Sequence, residues 1–465
     1  MFAFKPLPPA VPLRKLLGPS FIILALGFGS GEVILWPYLT SNWGLGIAWA
    51  ALLGITCQFF INMEIERYAL VKGESVFVGL HKLWPSTAWW FIISTFLGFG
   101  LPGIIAASAE VLAAILGFTN FKWLAIGLLL FIGLLLSSGK TVYGLMEKTT
   151  RTIIFIGLPF VIFLVILLSR STDWLALAQG LVGRGEGYRW FPAGLSLATF
   201  LAAFAYSGAG GNLNLSQSIY IKEKGYGMGH YAQKISGLFK NIRERQVLKL
   251  TGEDFEINSA NLKTFATWWR RINAEHLLIF WLLGFLGIAM LMVLSFVTAF
   301  GLPDNAAGIN FVINEGNMVR LAAGPILGIL FLFVVGVMLW QTQLGVLDSS
   351  SRIMAENWAL NKIGHTGEIN LSKVYFYFLW LQIAFGMVLF LLNIYEPRTL
   401  IVIGAVINAV AMFAHIGLVN LMNLKVLPQE LKPRLWRRVV LLLIFLIFGG
   451  FSLFTLWQKV ADWLG

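Results

Sequence analysis

Long apolar runs separated by short polar ones set the pattern of this chain. Eleven runs are long and apolar enough to cross a bilayer as helices: 16–39, 45–70, 87–117, 122–138, 152–169, 192–221, 276–300, 322–347, 374–393, 399–422 and 438–457. The third and eighth exceed the hydrocarbon thickness and are expected to tilt or project beyond it. Two polar stretches stand apart from the spans. A Pro-rich tail, with Pro6, Pro8, Pro9 and Pro12, precedes the first span and reads as extended chain. Residues 222–275, mixed in charge, separate the sixth span from the seventh and end on Trp268-Trp269-Arg270-Arg271, expected to be an aromatic and basic anchor at the membrane interface. The pattern therefore predicts an all-α integral membrane protein. It has one transmembrane domain over residues 1–465, a tail over 1–15 and a long loop over 222–275.

Two spans break the apolar rule in the same way. The first contains Leu26-Gly27-Phe28-Gly29-Ser30-Gly31-Glu32, three glycines and a serine followed by a carboxylate at the depth where charge is most costly. The sixth contains Ser207-Gly208-Ala209-Gly210-Gly211-Asn212 at about the same relative depth. Paired Gly-interrupted spans at corresponding places in two halves of a membrane protein point to a transporter's binding site. Such breaks survive at membrane depth only where the freed backbone is buried or lines a wet cavity. Helices one and six are expected to be interrupted near Gly29–Gly31 and Gly208–Gly211, with the interruptions facing each other.

Composition agrees with the pattern: 58% of the 465 residues are hydrophobic and 12% charged, and the mean hydropathy is +0.79. A net charge of +12 would suggest nucleic acid, but its placement makes it a topology signal. With the N-terminus in the cytoplasm, 27 of the 34 Lys and Arg fall on the inner side and 7 on the outer. That asymmetry predicts a multi-pass protein of the plasma (inner) membrane with its N-terminus cytoplasmic and its C-terminus outside. It leaves no role for nucleic acid. The first span is too long for a cleavable signal peptide. Cys57 is the single cysteine, so an intrachain disulfide is excluded.

From Gly18 to Val78 the chain resembles, without a gap, the start of the Nramp family of proton-coupled divalent-metal transporters. The resemblance rests on Gly18-Pro19, Phe21, Gly31, Gly44, Trp49, Gln58, Arg67 and Gly73. It continues more sparsely at Ala109-Glu110-Val111 in the third span, and at Gly345, Leu347 and Arg352-Ile353-Met354-Ala355-Glu356 in the eighth. The resemblance implies a LeuT/APC-like fold: an inverted repeat of five plus five helices, broken helices one and six around a central site, and an eleventh helix. The site itself departs from that family. Where the family has Asp-Pro-Gly-Asn, with Asp and Asn on the metal, this chain has Gly29-Ser30-Gly31-Glu32. Where it has Met-Pro-His, this chain has Ala209-Gly210-Gly211, followed by the shared Asn212. An acidic residue of the family's proton route, one turn before Glu110, is replaced by Ala107.

The groups left for binding are Gly29, Ser30, Gly31 and Glu32 on one side and Gly208, Ala209, Gly210, Gly211, Asn212 and Asn214 on the other. They offer a carboxylate, a hydroxyl, amides and backbone. Without thioether, thiolate or imidazole, soft metals lose their preferred ligands. A hard, partly hydrated cation such as Mg²⁺ keeps its own, with Glu32 and Asn212 as metal ligands. An APC-like alternative stays open. Gly-rich breaks expose helix N-terminal amides suited to an amino acid or another organic carboxylate, and Gly29-Ser30-Gly31 and Phe204-Ala205-Tyr206-Ser207-Gly208 resemble the breaks of amino-acid transporters. Glu32, Glu110, Asp348, Ser349 and Ser350 are the candidates for ion coupling, by H⁺ or Na⁺. Asn408 and His415 are expected to bond between helices, and no histidine metal cluster is legible.

Function classes separate on these grounds. An ion-coupled secondary transporter explains the paired breaks and the intramembrane acids. An enzyme would need a convergent catalytic set, and no triad, metal cluster or nucleotide motif is present, so no enzyme and no cofactor are expected. A channel would need a filter. A non-transporting sensor would need an output surface, for which only 222–275 is available. The expected partners are a small-molecule or ion substrate and the lipid bilayer, with the oligomeric state left open.

Overall fold

In the computed structural model, residues 4–13, 16, 18–138, 142–232, 250–366 and 370–464 are described. Residues 1–3, 14 and 15 of the expected tail and 233–249 of the expected loop lie outside them. Among the described residues the membrane helices are α1 (Pro19–Trp43), α2 (Leu45–Lys72), α3 (Thr87–Leu116), α4 (Lys122–Ser138) and α5 (Val142–Leu168). There follow α6 in two halves (Leu197–Ala205 and Ser216–Lys224), α7 (Ser259–Ala299), α8 (Pro325–Thr366), α9 (Leu371–Leu391), α10 (Pro397–Val426) and α11 (Leu435–Leu464). Each predicted run carries a helix. The differences are in length. α5 begins ten residues earlier than its apolar run, α7 reaches back to Ser259, and α8 runs on to Thr366. Hydropathy marks where a helix enters lipid, whereas backbone hydrogen bonding continues through the aqueous turns beyond it. α3 is divided at Gly100–Pro102, where proline ends the regular hydrogen bonding.

Burial orders the bundle. The spanning window of α1 is buried along its whole length, while only 33% of that of α5 or α11 is buried inside the protein. A helix that is apolar all round and buried all round is a central one. α5 and α11 instead turn Ile156, Ile166, Leu446 and Leu453 outward, as lipid-facing helices do. α1 packs on α5, α7 and α8, and the first half of α6 on α10. The two interrupted helices therefore lie at the centre.

Residues 4–12 of the Pro-rich tail form no helix or strand and dock on the segment before α7 and on the N-terminal part of α7. Lys5 N donates to Asp254 O at 2.9 Å, Trp268 Nε1 to Pro8 O at 2.8 Å, and Arg271 Nη1 to Val11 O at 2.9 Å. Trp268 is 2% exposed. This corrects the expectation of a membrane anchor at Trp268 and Arg271, whose side chains hold the tail. The hydropathy of a Trp-Trp-Arg-Arg run is the same whether it faces headgroups or a docked peptide.

Candidate functional site

The two interruptions differ in kind. In α6, Tyr206–Gly210 leave the helix altogether, and Gly208, Gly210 and Gly211 take φ values of 121°, 71° and 52°. Side chains rarely adopt those conformations, so glycine is needed here. In α1 the chain stays wound. Phe28 (ψ 36°) and Gly29 (φ −142°, ψ −84°) are non-helical, and Ser30–Leu35 then form a π-helical turn before regular helix resumes at Trp36. The predicted break in α1 is thus a kink and a π-turn rather than an unwound segment. Insertions of this type recur at functional sites.

The interruptions touch. A Cβ on Gly31 would lie 1.7 Å from the Tyr206 carbonyl oxygen, and one on Gly29 2.5 Å from the Thr342 side chain. Only hydrogen at these positions lets α1, α6 and α8 approach so closely. Neighbouring helices satisfy the freed backbone. Gln58 of α2 accepts from Gly210 N at 3.1 Å and donates through Nε2 to Ala205 O at 2.9 Å, so one amide spans the gap in α6. Thr342 Oγ1 donates to Ala25 O at 3.0 Å, one turn before Gly29. Trp36 Nε1 donates to Ser207 Oγ at 3.1 Å, and Ser207 Oγ to Ala203 O at 3.1 Å. His415 Nε2 meets Gly211 O at 3.0 Å, and Asn408 Nδ2 donates to Gly98 O at 2.9 Å and Tyr206 OH at 2.8 Å, so both make bonds between helices.

Glu32 lies between the interruptions, wholly buried. A Cβ on Gly27 would meet Glu32 Oε1 at 2.5 Å and the Gly208 backbone at 2.8 Å, so Gly27 makes room for the carboxylate. Neither Glu32 oxygen closes a hydrogen bond of good geometry among the described residues, although the backbone amides of Glu32 and Gly208 are close enough to act on the carboxylate. Asn212 donates through Nδ2 to Ser94 Oγ at 2.8 Å and Thr95 Oγ1 at 3.0 Å, leaving Oδ1 without a partner. Both polar atoms of Asn214 are buried without a partner among the described residues. Ser30 is 4% and Ala209 3% exposed, so the site is closed to both faces. Buried polar groups are normally hydrogen-bonded, and exceptions of this density mark places where a ligand, ion or water completes the set.

The remaining candidates are distributed elsewhere. Glu110 sits on the far half of α3, partly exposed and within electrostatic reach of the Glu396 carboxylate. Asp348 is neither solvated nor free. Arg352 Nε donates to Asp348 Oδ1 at 2.9 Å and Nη1 to Glu223 Oε1 at 2.6 Å, while Tyr375 OH donates to Asp348 Oδ1 at 2.8 Å and Tyr220 OH to Oδ2 at 3.1 Å. Ser349 Oγ meets Tyr220 OH at 2.7 Å, and Ser350 Oγ donates to Gln382 Oε1 at 2.7 Å. Asp348 and Ser349 thus belong to a buried network tying the second half of α6 to α8 and α9, in which both Asp348 oxygens have partners. The charge of Asp348 is compensated by Arg352.

A second buried cluster was not foreseen. Ser20 of α1 donates to Glu275 Oε2 at 2.5 Å and meets His276 Nδ1 at 2.8 Å, and His276 Nδ1 lies 3.2 Å from Glu66 Oε1. Gln217 Nε2 donates to the same Glu66 oxygen at 2.6 Å. Four helices (α1, α2, α6 and α7) meet there around two carboxylates. Glu66 Oε2, Glu275 Oε1 and Gln217 Oε1 have no partner among the described residues. The available signal was an acid near the end of each of two apolar runs, which alone reads as an interfacial charge. Among the described residues no group of three or more His, Cys, Asp or Glu is arranged to hold a metal ion.

The fold has solved counterparts. A mutant of the manganese transporter of Eremococcus coleocola superposes with a TM-score of 0.71 at 13% identity, over 98% of this chain and 90% of that one. The same transporter in complex with an aromatic bis-isothiourea compound gives 0.69, at the same identity and coverage. The protein MhsT in complex with L-phenylalanine gives 0.53 at 15% identity, over 94% and 97%. No family model and no curated protein sequence matches the chain. The chain has the LeuT fold of membrane transporters, with interrupted helices one and six and an eleventh helix.

Proposed function

We propose that this chain is an Nramp-like, ion-coupled secondary transporter that moves a small hard cation by alternating access. It belongs to the plasma membrane, with its N-terminus in the cytoplasm. One observation carries the reading: the buried carboxylate of Glu32 between two touching helix interruptions, with the amide oxygens of Asn212 and Asn214, just after the interruption in α6, lacking partners among the described residues. A lone carboxylate in a dry site is stable only when neutralised, by a proton or by a bound cation. With oxygen ligands and no thioether, the site favours Mg²⁺, which keeps several of its waters, over Mn²⁺ or Fe²⁺. Opening of α1 against α6 would admit the ion, because the closed site is sealed on both faces.

The organic-carboxylate alternative is weakened by the backbone. Gly208 N donates to Tyr206 O at 2.8 Å and Gly210 N to Gln58 Oε1 at 3.1 Å, so two of the amides that would receive a carboxylate are already engaged. Glu32 would also repel it. For the coupling ion, the Glu66–Glu275 cluster is the stronger candidate and Asp348 the weaker, since Arg352 already balances Asp348. One H⁺ or Na⁺ between Glu66 and Glu275 would cancel one of their two charges and screen the other.

The test is uptake by proteoliposomes of purified protein, with Mg²⁺, Mn²⁺ and a panel of amino acids, with and without proton or sodium gradients. Mg²⁺ flux raised by one gradient is expected. Mn²⁺ flux with Mg²⁺ silent would overturn the ligand reading, amino-acid flux would overturn the cargo class, and no flux of any kind would favour a sensor.

A further inference from the structure

The face of the protein that carries most of the Lys and Arg also carries a cavity of about 430 Å³. It opens where the end of α2, the early part of α7, the turn Gln429–Leu431 and the start of α11 converge. Four cationic side chains line it: Arg67, Lys432, Arg434 and Arg437. Two acids oppose them. Glu430 is on the wall, and Glu64 beneath is shared, accepting from Arg67 Nε at 2.6 Å and Arg437 Nη1 at 3.1 Å. Two positive charges are left uncompensated. Arg434 is exposed and Lys432 partly so, and neither pairs with a carboxylate among the described residues.

The site is built rather than a chance grouping of surface charges. Arg67 and Arg437 are 5% and 7% exposed and held in place. Arg67 Nη1 donates to Leu431 O at 3.3 Å, and Arg437 Nη2 to Asn273 Oδ1 at 2.7 Å. Both guanidinium groups stack on Trp269, at 3.9 Å and 5.0 Å from its ring centre. Trp436, half exposed at the first turn of α11, adds the aromatic surface typical of the headgroup level. Arg67 lies five residues before the end of α2, and α11 begins at Leu435, beside Arg434. The cavity therefore lies at the ends of two membrane helices, the level at which lipid phosphates are expected.

We propose that this cavity binds the headgroup of an anionic glycerophospholipid, with the phosphate held by Arg434 and Lys432 and the glycerol region against Trp269 and Trp436. The uncompensated charge selects an anionic lipid over a zwitterionic one, since basic pockets between helices on the cytoplasmic side bind such headgroups. This inference does not depend on the cargo of the central site.

The experiment is native mass spectrometry of the full chain, purified in detergent and titrated separately with phosphatidylglycerol, phosphatidylcholine, inorganic phosphate and glycerol phosphate. Phosphatidylglycerol should form a saturable one-to-one adduct that phosphatidylcholine does not. Lys432→Gln/Arg434→Gln removes two exposed charges without orphaning an acid. From about 1 kcal/mol per basic residue, it should weaken the adduct roughly 30-fold, while Arg320→Gln on the opposite face leaves it unchanged. Binding of phosphatidylcholine as tight as that of phosphatidylglycerol, or an unaffected double variant, overturns the proposal. Inorganic phosphate or glycerol phosphate binding as tightly as the lipid overturns the lipid source and assigns the cavity to a soluble phosphate.

Discussion

Gly31→Ala tests the closeness of α1 and α6 with one methyl group. The new Cβ would stand 1.7 Å from the Tyr206 carbonyl oxygen and 2.6 Å from its carbon. Tolerable C···O contact begins near about 3.3 Å, so the two helices must part by roughly 1.6 Å. The obstructing atom is backbone and cannot swing aside, and it already accepts from Gly208 N at 2.8 Å. Overpacking in a close-packed interior costs about 1–3 kcal/mol, and disturbing the Gly208 bond costs about 1 kcal/mol more. Replacing glycine in a wound segment returns about 0.5–1 kcal/mol. The expected net destabilisation is about 2 kcal/mol, roughly 30-fold in an opening equilibrium. Cys57 supplies the assay, because it is the sole cysteine, 3% exposed, on the helix whose Gln58 bridges the α6 interruption. A thiol-reactive dye labels it only in opened molecules, at a rate that follows their population. Gly31→Ala should label about 30-fold faster than the parent chain. Gly127→Ala, whose added Cβ would meet nothing within 4 Å, should label at the parental rate or more slowly. Equal rates for the two variants would show that the interruptions do not touch.

Glu32→Gln should abolish uptake or remove its pH dependence at unchanged expression and labelling of Cys57. Parental uptake with an unchanged pH profile would exclude Glu32 as ligand and proton carrier. Arg352→Met leaves Asp348 and Glu223 buried without their cation. It should cost about 3–5 kcal/mol, read as faster Cys57 labelling, and a loss below about 1 kcal/mol would refute the network's role. Glu315, on the helix Asn310–Ala323 outside the spans, is 2% exposed, and burial pushes its carboxyl up to about 8, with the nearby Ser295 hydroxyl opposing the shift. The folded state then holds this proton more tightly than the unfolded chain. That stabilisation is complete below about 4.5 and is lost as pH rises through about 8. Thermal midpoints should therefore fall between pH 5 and pH 9, and Glu315→Gln should flatten the decline.

The sequence alone determined the helices and where two of them are interrupted. Hydrophobic run length is imposed by the thickness of hydrocarbon, so eleven spans could be read without tertiary information. Glycine clusters and Glu32 at mid-span were legible because lipid penalises free backbone and charge at any position where the fold does not excuse them. What each charge does once the helices pack was not legible. Asp348 looked like a free intramembrane acid, yet Arg352, Tyr220 and Tyr375 saturate it, and their proximity depends on how α6, α8 and α9 meet. Glu66 and Glu275 stand 209 positions apart near the ends of two apolar runs, and packing of α2 against α7 makes them one buried cluster with His276. The form of the α1 interruption was likewise decided in three dimensions. Its glycines permit unwinding, but contact with Tyr206 and Thr342 holds a kinked π-turn in place. Local sequence fixes which groups are costly to bury, whereas only packing decides which partners arrive to offset that cost.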